Sequence, residues 1–346
     1  MAIENTHNTY QKENTIMKHF ESIVRNLPVI LLLMLCASFA RADLAAIDTA
    51  LSNGDVTQAQ QLLDALGTDT QSAEIKLRQG RLYVQTNEFE KAYEVLQPIT
   101  VAMPDDAEAH YWFGAAAGSL AANVSMFKAG KYAREVRDAF SKAIELDPQH
   151  ADAHQGLIQF HLQAPRIVGG KKKEAERLAE ALRKFDPLNG ALSLANVYRQ
   201  TRREDEAREL LRALADELPD EPRAWAQLGF DAQGAEDWES AHTAFSKAAR
   251  AGGDSEPHRN ARLGALYQIG RTAVFADANH DSGIDALQQY LEADIAAGLP
   301  GKDWANYRLG LLLEATDQTA EAAAAFATAK SLTDDDDLLT QLARKM

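Results

Sequence analysis

The sequence predicts an all-α protein assembled from repeated antiparallel helix pairs. Three observations lead there. Apolar residues recur at helical spacing along nearly all of the chain beyond residue 42. Short breaks bearing Asp, Pro or Gly interrupt them at a regular interval. Composition agrees, since 46% of the 346 residues are hydrophobic but only 7% aromatic, a balance that suits helices better than an aromatic-rich sheet.

From Met17, the expected true start, the chain reads as a signal peptide occupying residues 1–42: basic Lys18 and Arg25, an apolar run from Val29 to Leu35, then small Ala40 and Ala42. Cleavage after Ala42 is expected, which places the mature chain in the periplasm or outside the cell. The apolar run is short of the ~20 residues a membrane helix needs, so no stable membrane insertion is expected after cleavage; retention of the segment as an anchor is the alternative. Cys36, the single cysteine, lies inside this segment, so the mature chain has no thiol for a disulfide, a nucleophile or a metal. The net charge of −15 makes nucleic acid and anionic lipid poor partners.

The clearest unit runs from Pro222 to Ser255. Trp225, Leu228 and Ala232 share one helix face, and Ala241, Phe245 and Ala248 share a face of the next helix. Gly229 and Ala241 let the two backbones approach. This unit resembles the 34-residue tetratricopeptide repeat, with its W-x2-L-G-x2-Y, A-x3-F and P positions. Gly80, Tyr83, Ala92, Leu96 and Pro104 repeat the spacing, as do Leu194, Ala195, Tyr198, Ala207, Leu211 and Pro219. The resemblance implies a right-handed α-solenoid of antiparallel helix pairs. Its expected parts are a degenerate helix pair over 43–72, six repeats over 73–333 and a capping helix over 334–346. Insertions between paired helices are expected near 119–134, 164–170 and 271–283, the last from reading Leu263, Gly264 and Tyr267 as the first-helix motif. They serve either as binding elements or as passive packing.

Several constellations have plainer readings than chemistry. His150, His154 and His161 have helical spacing, but His154 and His161 fall on interhelix packing positions and no carboxylate or cysteine completes a ligand set, so no metal is expected. Asp277, Asn279 and Asp281 open like a calcium loop, which then puts Gln288 where a bidentate glutamate is required; a capped turn is expected. Gly169–Lys173 is a basic turn and not a phosphate loop, because Lys172 stands where Ser or Thr should follow the lysine. The acidic run from Thr333 reads as a helix-start cap. No Gly-x-Ser-x-Gly occurs, and neither catalysis nor a cofactor is expected.

The resemblance further implies that first helices line a concave groove. Its expected ligand-facing residues are Arg81, Tyr111, Gln155, Gln159, Asn196, Arg199, Arg223, Gln227, Phe230, Gln233, Arg262 and Tyr307. Some members of the family grip a C-terminal carboxylate with Lys-Asn-Asn-Lys-Arg. The corresponding residues are Leu192, Asn196, Gln227, His258 and Arg262, a partial match that keeps carboxylate binding as a chemical possibility. The function expected is an adaptor or assembly scaffold of the cell envelope that holds a partner protein or peptide. A small-molecule or cell-wall-fragment binder and an accessory subunit of an envelope enzyme are the alternatives.

Overall fold

Capping side chains mark where the helices begin. Asp55, Ser72, Asp186, Asp237 and Ser255 each accept a hydrogen bond from a backbone N–H in the first turn that follows, satisfying donors the helix itself cannot. The computed structural model describes residues 44–66, 72–123, 126–296 and 298–345; the expected signal peptide lies outside them. The helices are α1 (44–52), α2 (Val56–Ala65), α3 (Ala73–Gln85), α4 (Phe89–Ala102), α5 (Ala107–Asn123), α6 (Met126–Leu146), α7 (Ala151–Gln163) and α8 (Lys172–Arg183). They continue as α9 (Pro187–Gln200), α10 (Glu204–Glu217), α11 (Pro222–Gly234), α12 (Trp238–Arg250), α13 (Glu256–Ala276), α14 (His280–Glu292), α15 (Lys302–Ala315), α16 (Thr319–Leu332) and α17 (Asp336–Leu342). No strand occurs among the described residues.

The described residues divide into two compact units, one running to Phe160 and including Ala164–Gly169, the other made of His161–Gln163 and the residues from Gly170 onward. Each is a stack of helix pairs. Among the described residues α3/α4, α5/α6, α9/α10, α11/α12, α13/α14 and α15/α16 pack as pairs, following α1 and α2. Within a pair, a glycine on the first helix takes a large side chain from the second. A Cβ on Gly80 would lie 2.4 Å from Leu96 Cγ, one on Gly229 2.5 Å from Phe245 Cε1 and one on Gly310 2.5 Å from Phe326 Cε1. Seven residues after each of these positions the chain turns through the left-handed region, at Asn87, Glu236 and Asp317, and it does so at Arg202, seven after Ala195.

These two markers correct the expected register of α13. The glycine that receives the second helix there is Gly270, whose Cβ would meet Leu287 Cγ at 2.3 Å, and the left-handed Asp277 follows it by seven. Gly264 has only Leu299 at van der Waals distance. The extra residues therefore lengthen α13 at its N-terminus instead of forming an insertion at 271–283. The excess near 119–134 also becomes helix: α5 extends to Asn123 and α6 resumes at Met126. The excess at 164–170 is a loop with a 3₁₀ turn, Arg166–Val168, and an exposed Ile167.

α17 buries Leu338 and Leu342 against the α15/α16 core, closing one end of the second unit as a capping helix does. Within each unit, successive first helices touch one another, α3 with α5, α11 with α13 and α13 with α15. First helices thus form a row, and that row positions the candidate site.

Candidate functional site

In the first unit the row carries Arg81, Tyr111, Gln155 and Gln159. The Arg81 guanidinium stands 5.0 Å from the Trp112 ring and donates to Ser52 Oγ at 3.0 Å. It borders a cavity of about 530 Å³ among α1, α3 and α5, also lined by Asp48, Glu74, Arg78, Glu108 and Trp112. Arg78 pairs with Asp48 at 2.5 Å, while the buried Nε atoms of Arg78 and Arg81 have no partner. Tyr111 packs between Trp112, Phe140 and His150, with ring centroids at 4.9, 5.9 and 4.9 Å. Burial, with Asp152 and Glu108 nearby, pushes its phenol well above the usual range, so Tyr111 is a neutral packing group. Gln159 is exposed and Gln155 half-buried.

His150 caps α7, its Nδ1 accepting from the Ala153 N–H, and Glu108 lies 3.5 Å from its Nε2. His154 and His161 are buried. Among the described residues no three His, Cys, Asp or Glu side chains converge. The Asp277–Asn279 segment is a turn, with both residues left-handed. Asp335 caps α17 and accepts from Trp304 Nε1 at 3.2 Å, and Lys172 donates to the Gln200 carbonyl.

In the second unit the row is an internally bonded ladder. Arg199 pairs with Asp231 at 2.6 Å, and Gln227, with its amide oxygen turned toward Arg199, accepts at 2.6 and 3.1 Å. Gln233 donates to Thr272 Oγ1 at 2.8 Å and accepts from Arg271 at 3.1 Å. Phe230 remains 45% exposed while its ring edge packs on Phe245, and Asn196 is half-buried.

Three expected groove residues are used elsewhere. Arg223 is held bidentately by Glu221, at 2.7 and 3.0 Å. Arg262 donates to the carbonyls of Ala251, Gly252 and Gly253, so it fastens the loop after α12; the register shift in α13 is the reason it leaves the row. Tyr307 is a core ring, 9% exposed and packed on Phe326. The carboxylate grip suggested by Leu192, Asn196, Gln227, His258 and Arg262 is therefore not assembled: His258 faces Glu221 at 3.3 Å, and Arg262 serves backbone.

Models of the tetratricopeptide repeat match residues 41–111 and 188–231. The chain is a tetratricopeptide-repeat protein. No curated protein matches it. Solved structures similar to it include a thermophilic tetratricopeptide-repeat protein of Thermus thermophilus, at 16% identity and TM-score 0.46, covering 54% of this chain and 95% of that one. PilF of Pseudomonas aeruginosa is 17% identical with TM-score 0.42, covering 63% of this chain and 89% of its own. PilW, a type IV pilus biogenesis factor, is 15% identical with TM-score 0.44, covering 63% and 92%. No helix among the described residues of this tetratricopeptide-repeat protein is long and apolar enough to cross a membrane.

Sequence reasoning missed Asp231, Gln268, Arg271 and Arg308. Counting back from Leu287 by about the sixteen residues that separate Leu96 from Gly80 reaches Gly270, which would have moved the α13 register and found Gln268 and Arg271.

Glu221 is 8% exposed. Burial acts to raise its pKa, but the Arg223 side-chain and backbone hydrogen bonds, with the charges of Arg223 and His258, outweigh it and hold the carboxyl below its usual 4.5. A carboxylate depressed in the fold contributes stability above its unfolded pKa and loses it as pH falls through the folded value. Thermal midpoints measured from about pH 5 down to about pH 3 should therefore fall less steeply in Glu221→Gln than in the wild type. Parallel curves would mean that the Glu221–Arg223 pair is not coupled to folding.

Proposed function

We propose that this protein is a non-catalytic adaptor of the cell envelope that holds a partner protein or peptide on the first-helix row of its repeats. The observation that carries the reading is Phe230. An aromatic side chain nearly half exposed in the middle of a hydrogen-bonded polar ladder is costly to leave in water and useful as an anchor. Asn196 and Gln268, beside it along the row, supply amides able to pair with an extended backbone. Envelope location rests on the signal-like residues 1–42, and N-terminal sequencing of the natural protein should find a chain beginning at Asp43.

Crosslinking in living source cells, followed by affinity capture of the mature chain, tests the binding role. The expected result is a partner protein enriched by the wild type and lost with Phe230→Asp, while thermal stability is retained. Equal capture by both would overturn the assignment of the row.

A second reading follows from the 530 Å³ cavity of the first unit, which lies within the ~300–1,000 Å³ range of small-molecule sites. A wall-derived ligand bound there should stabilise the protein saturably, and Arg81→Gln should abolish the effect.

A further inference from the structure

Among the described residues Arg308 is a guanidinium without an ion-pair partner. Its centre lies 5.0 Å from the Tyr267 ring and 5.0 Å from the Trp304 ring, and its hydrogen bond is a long one to its own helix, to the Trp304 carbonyl at 3.4 Å. Among the described residues it forms no ion pair. Arg271, on the neighbouring first helix, has none either; it touches the amide oxygens of Gln233 and Gln268 at 3.1 and 3.4 Å and stands 5.2 Å from the Phe275 ring. Arg271 acts on Arg308 as a charge of the same sign. Burial and that neighbour together hold the Arg308 pKa below its ordinary value, against the opposing pull of Tyr267 and Tyr307.

The arrangement is unfavourable in the free protein. Other arginines of the second unit resolve the same problem with a carboxylate: Arg199 with Asp231, Arg203 with Glu176 and Glu206, Arg223 with Glu221. In a chain of net charge −15 a carboxylate paired with Arg308 or Arg271 is the easy solution, yet among the described residues none pairs with either, although the charge of Asp303 reaches the neighbouring Tyr267. Two guanidinium groups on adjacent first helices, flanked by rings that exclude water from their faces, are suited to an incoming carboxylate, which each can bind through paired N–H donors. The amides of Gln233 and Gln268 beside them continue the row and suit a chain that runs past the site.

We propose that Arg271 and Arg308 form a binding site for acidic side chains within an extended segment of the partner protein. The proposal rests on the reading of the first-helix row as the binding face and adds the chemistry of what binds there.

The test uses the full mature chain and a ten-residue probe of alternating Glu and Ser, acetylated and amidated so that it has no terminal charge. Three comparison probes are its Gln counterpart, that Gln peptide with a free C-terminal carboxylate, and inorganic phosphate. Titration calorimetry should show the Glu peptide binding most tightly, with affinity falling as salt rises. Arg308→Gln and Arg271→Gln should each weaken it by about tenfold or more, while the exposed Arg212→Gln should not. Arg308→Gln should change the thermal midpoint little, because a desolvated cation without an ion pair goes together with its ring contacts; Arg271→Gln also loses its bonds to Gln233 and Gln268, so Arg308→Gln is the variant read for stability. That readout separates a binding role from a structural one.

The proposal is overturned if the Glu and Gln peptides bind alike, or if both variants bind as the wild type does. It is also overturned if only the free C-terminus or phosphate is held. If partner capture in cells survives Arg271→Gln with Arg308→Gln but is lost in Phe230→Asp, this site fails and the adaptor reading stands. If Phe230→Asp has no effect, the adaptor reading fails as well.

Discussion

Phe245→Ala is expected to destabilise the second unit by about 3 to 5 kcal/mol, the range for truncating a buried phenylalanine. The ring is 0% exposed and sits over Gly229, with Ala241, Ala248, Ala265, Ile269 and Ala286 in its cluster. Those neighbours are mostly alanines on helices fixed by their own contacts, too short to reach into the space the ring leaves. Stacked repeats depend on nearest-neighbour interfaces, so the loss should also loosen α13, which packs on α12. Urea denaturation followed by circular dichroism measures it. The exposed control Thr243→Leu should change stability by no more than about 0.5 kcal/mol. Equal midpoints for the two variants would contradict the packing described for α11 and α12.

Gly190→Ala should be the most damaging glycine-to-alanine change in the helices, even though alanine is the better helix former by about 1 kcal/mol. A Cβ there would stand 2.2 Å from Arg183 Cα and 2.3 Å from Arg183 N. At Gly80 or Gly229 the obstacle is a side chain that can rotate; at Gly190 it is the backbone of α8, so two helices must separate. Overpacking of this kind costs about 1 to 3 kcal/mol, occasionally more. Gly234, with nothing within 4 Å of its Cβ position, gives the opposite expectation: Gly234→Ala should hold or raise stability. A urea midpoint for Gly190→Ala at or above that of the wild type would mean that α8 and α9 do not approach as described.

Much of the fold was legible because a repeat states its rule several times. Gly80, Gly229 and Leu194 with Ala195 fixed the register of their pairs, and the structure places Leu96, Phe245 and Leu211 where that register requires. The register of α13 was not legible. Leu263-Gly264-x2-Tyr267 and Ile269-Gly270-x2-Ala273 both satisfy the same spacing in a 21-residue helix, and only the side chain that enters the glycine notch decides between them. Gly190 was missed because its constraint is a backbone contact across a turn, which apolar periodicity does not encode.

The candidate site was less legible for a different reason. Spacing placed Arg199, Arg223 and Phe230 on the first helix, and all three are there. Whether an arginine is available to a ligand depends on what its guanidinium already holds, and Asp231 and Glu221 engage Arg199 and Arg223 from positions that pattern alone does not pair. Arg308 is the reverse case: its significance lies in a missing carboxylate, and an absence of that kind becomes visible only in three dimensions.

The central claim is that the first-helix row is where a partner sits, and site-specific photocrosslinking in the source cells tests it most directly. A photoreactive residue is placed at Phe230, at Asn196, or at exposed Arg212 on the second helix α10. The account predicts that the two row positions form adducts with the same partner protein and that position 212 does not. Adducts formed from position 212 and absent from both row positions would contradict it.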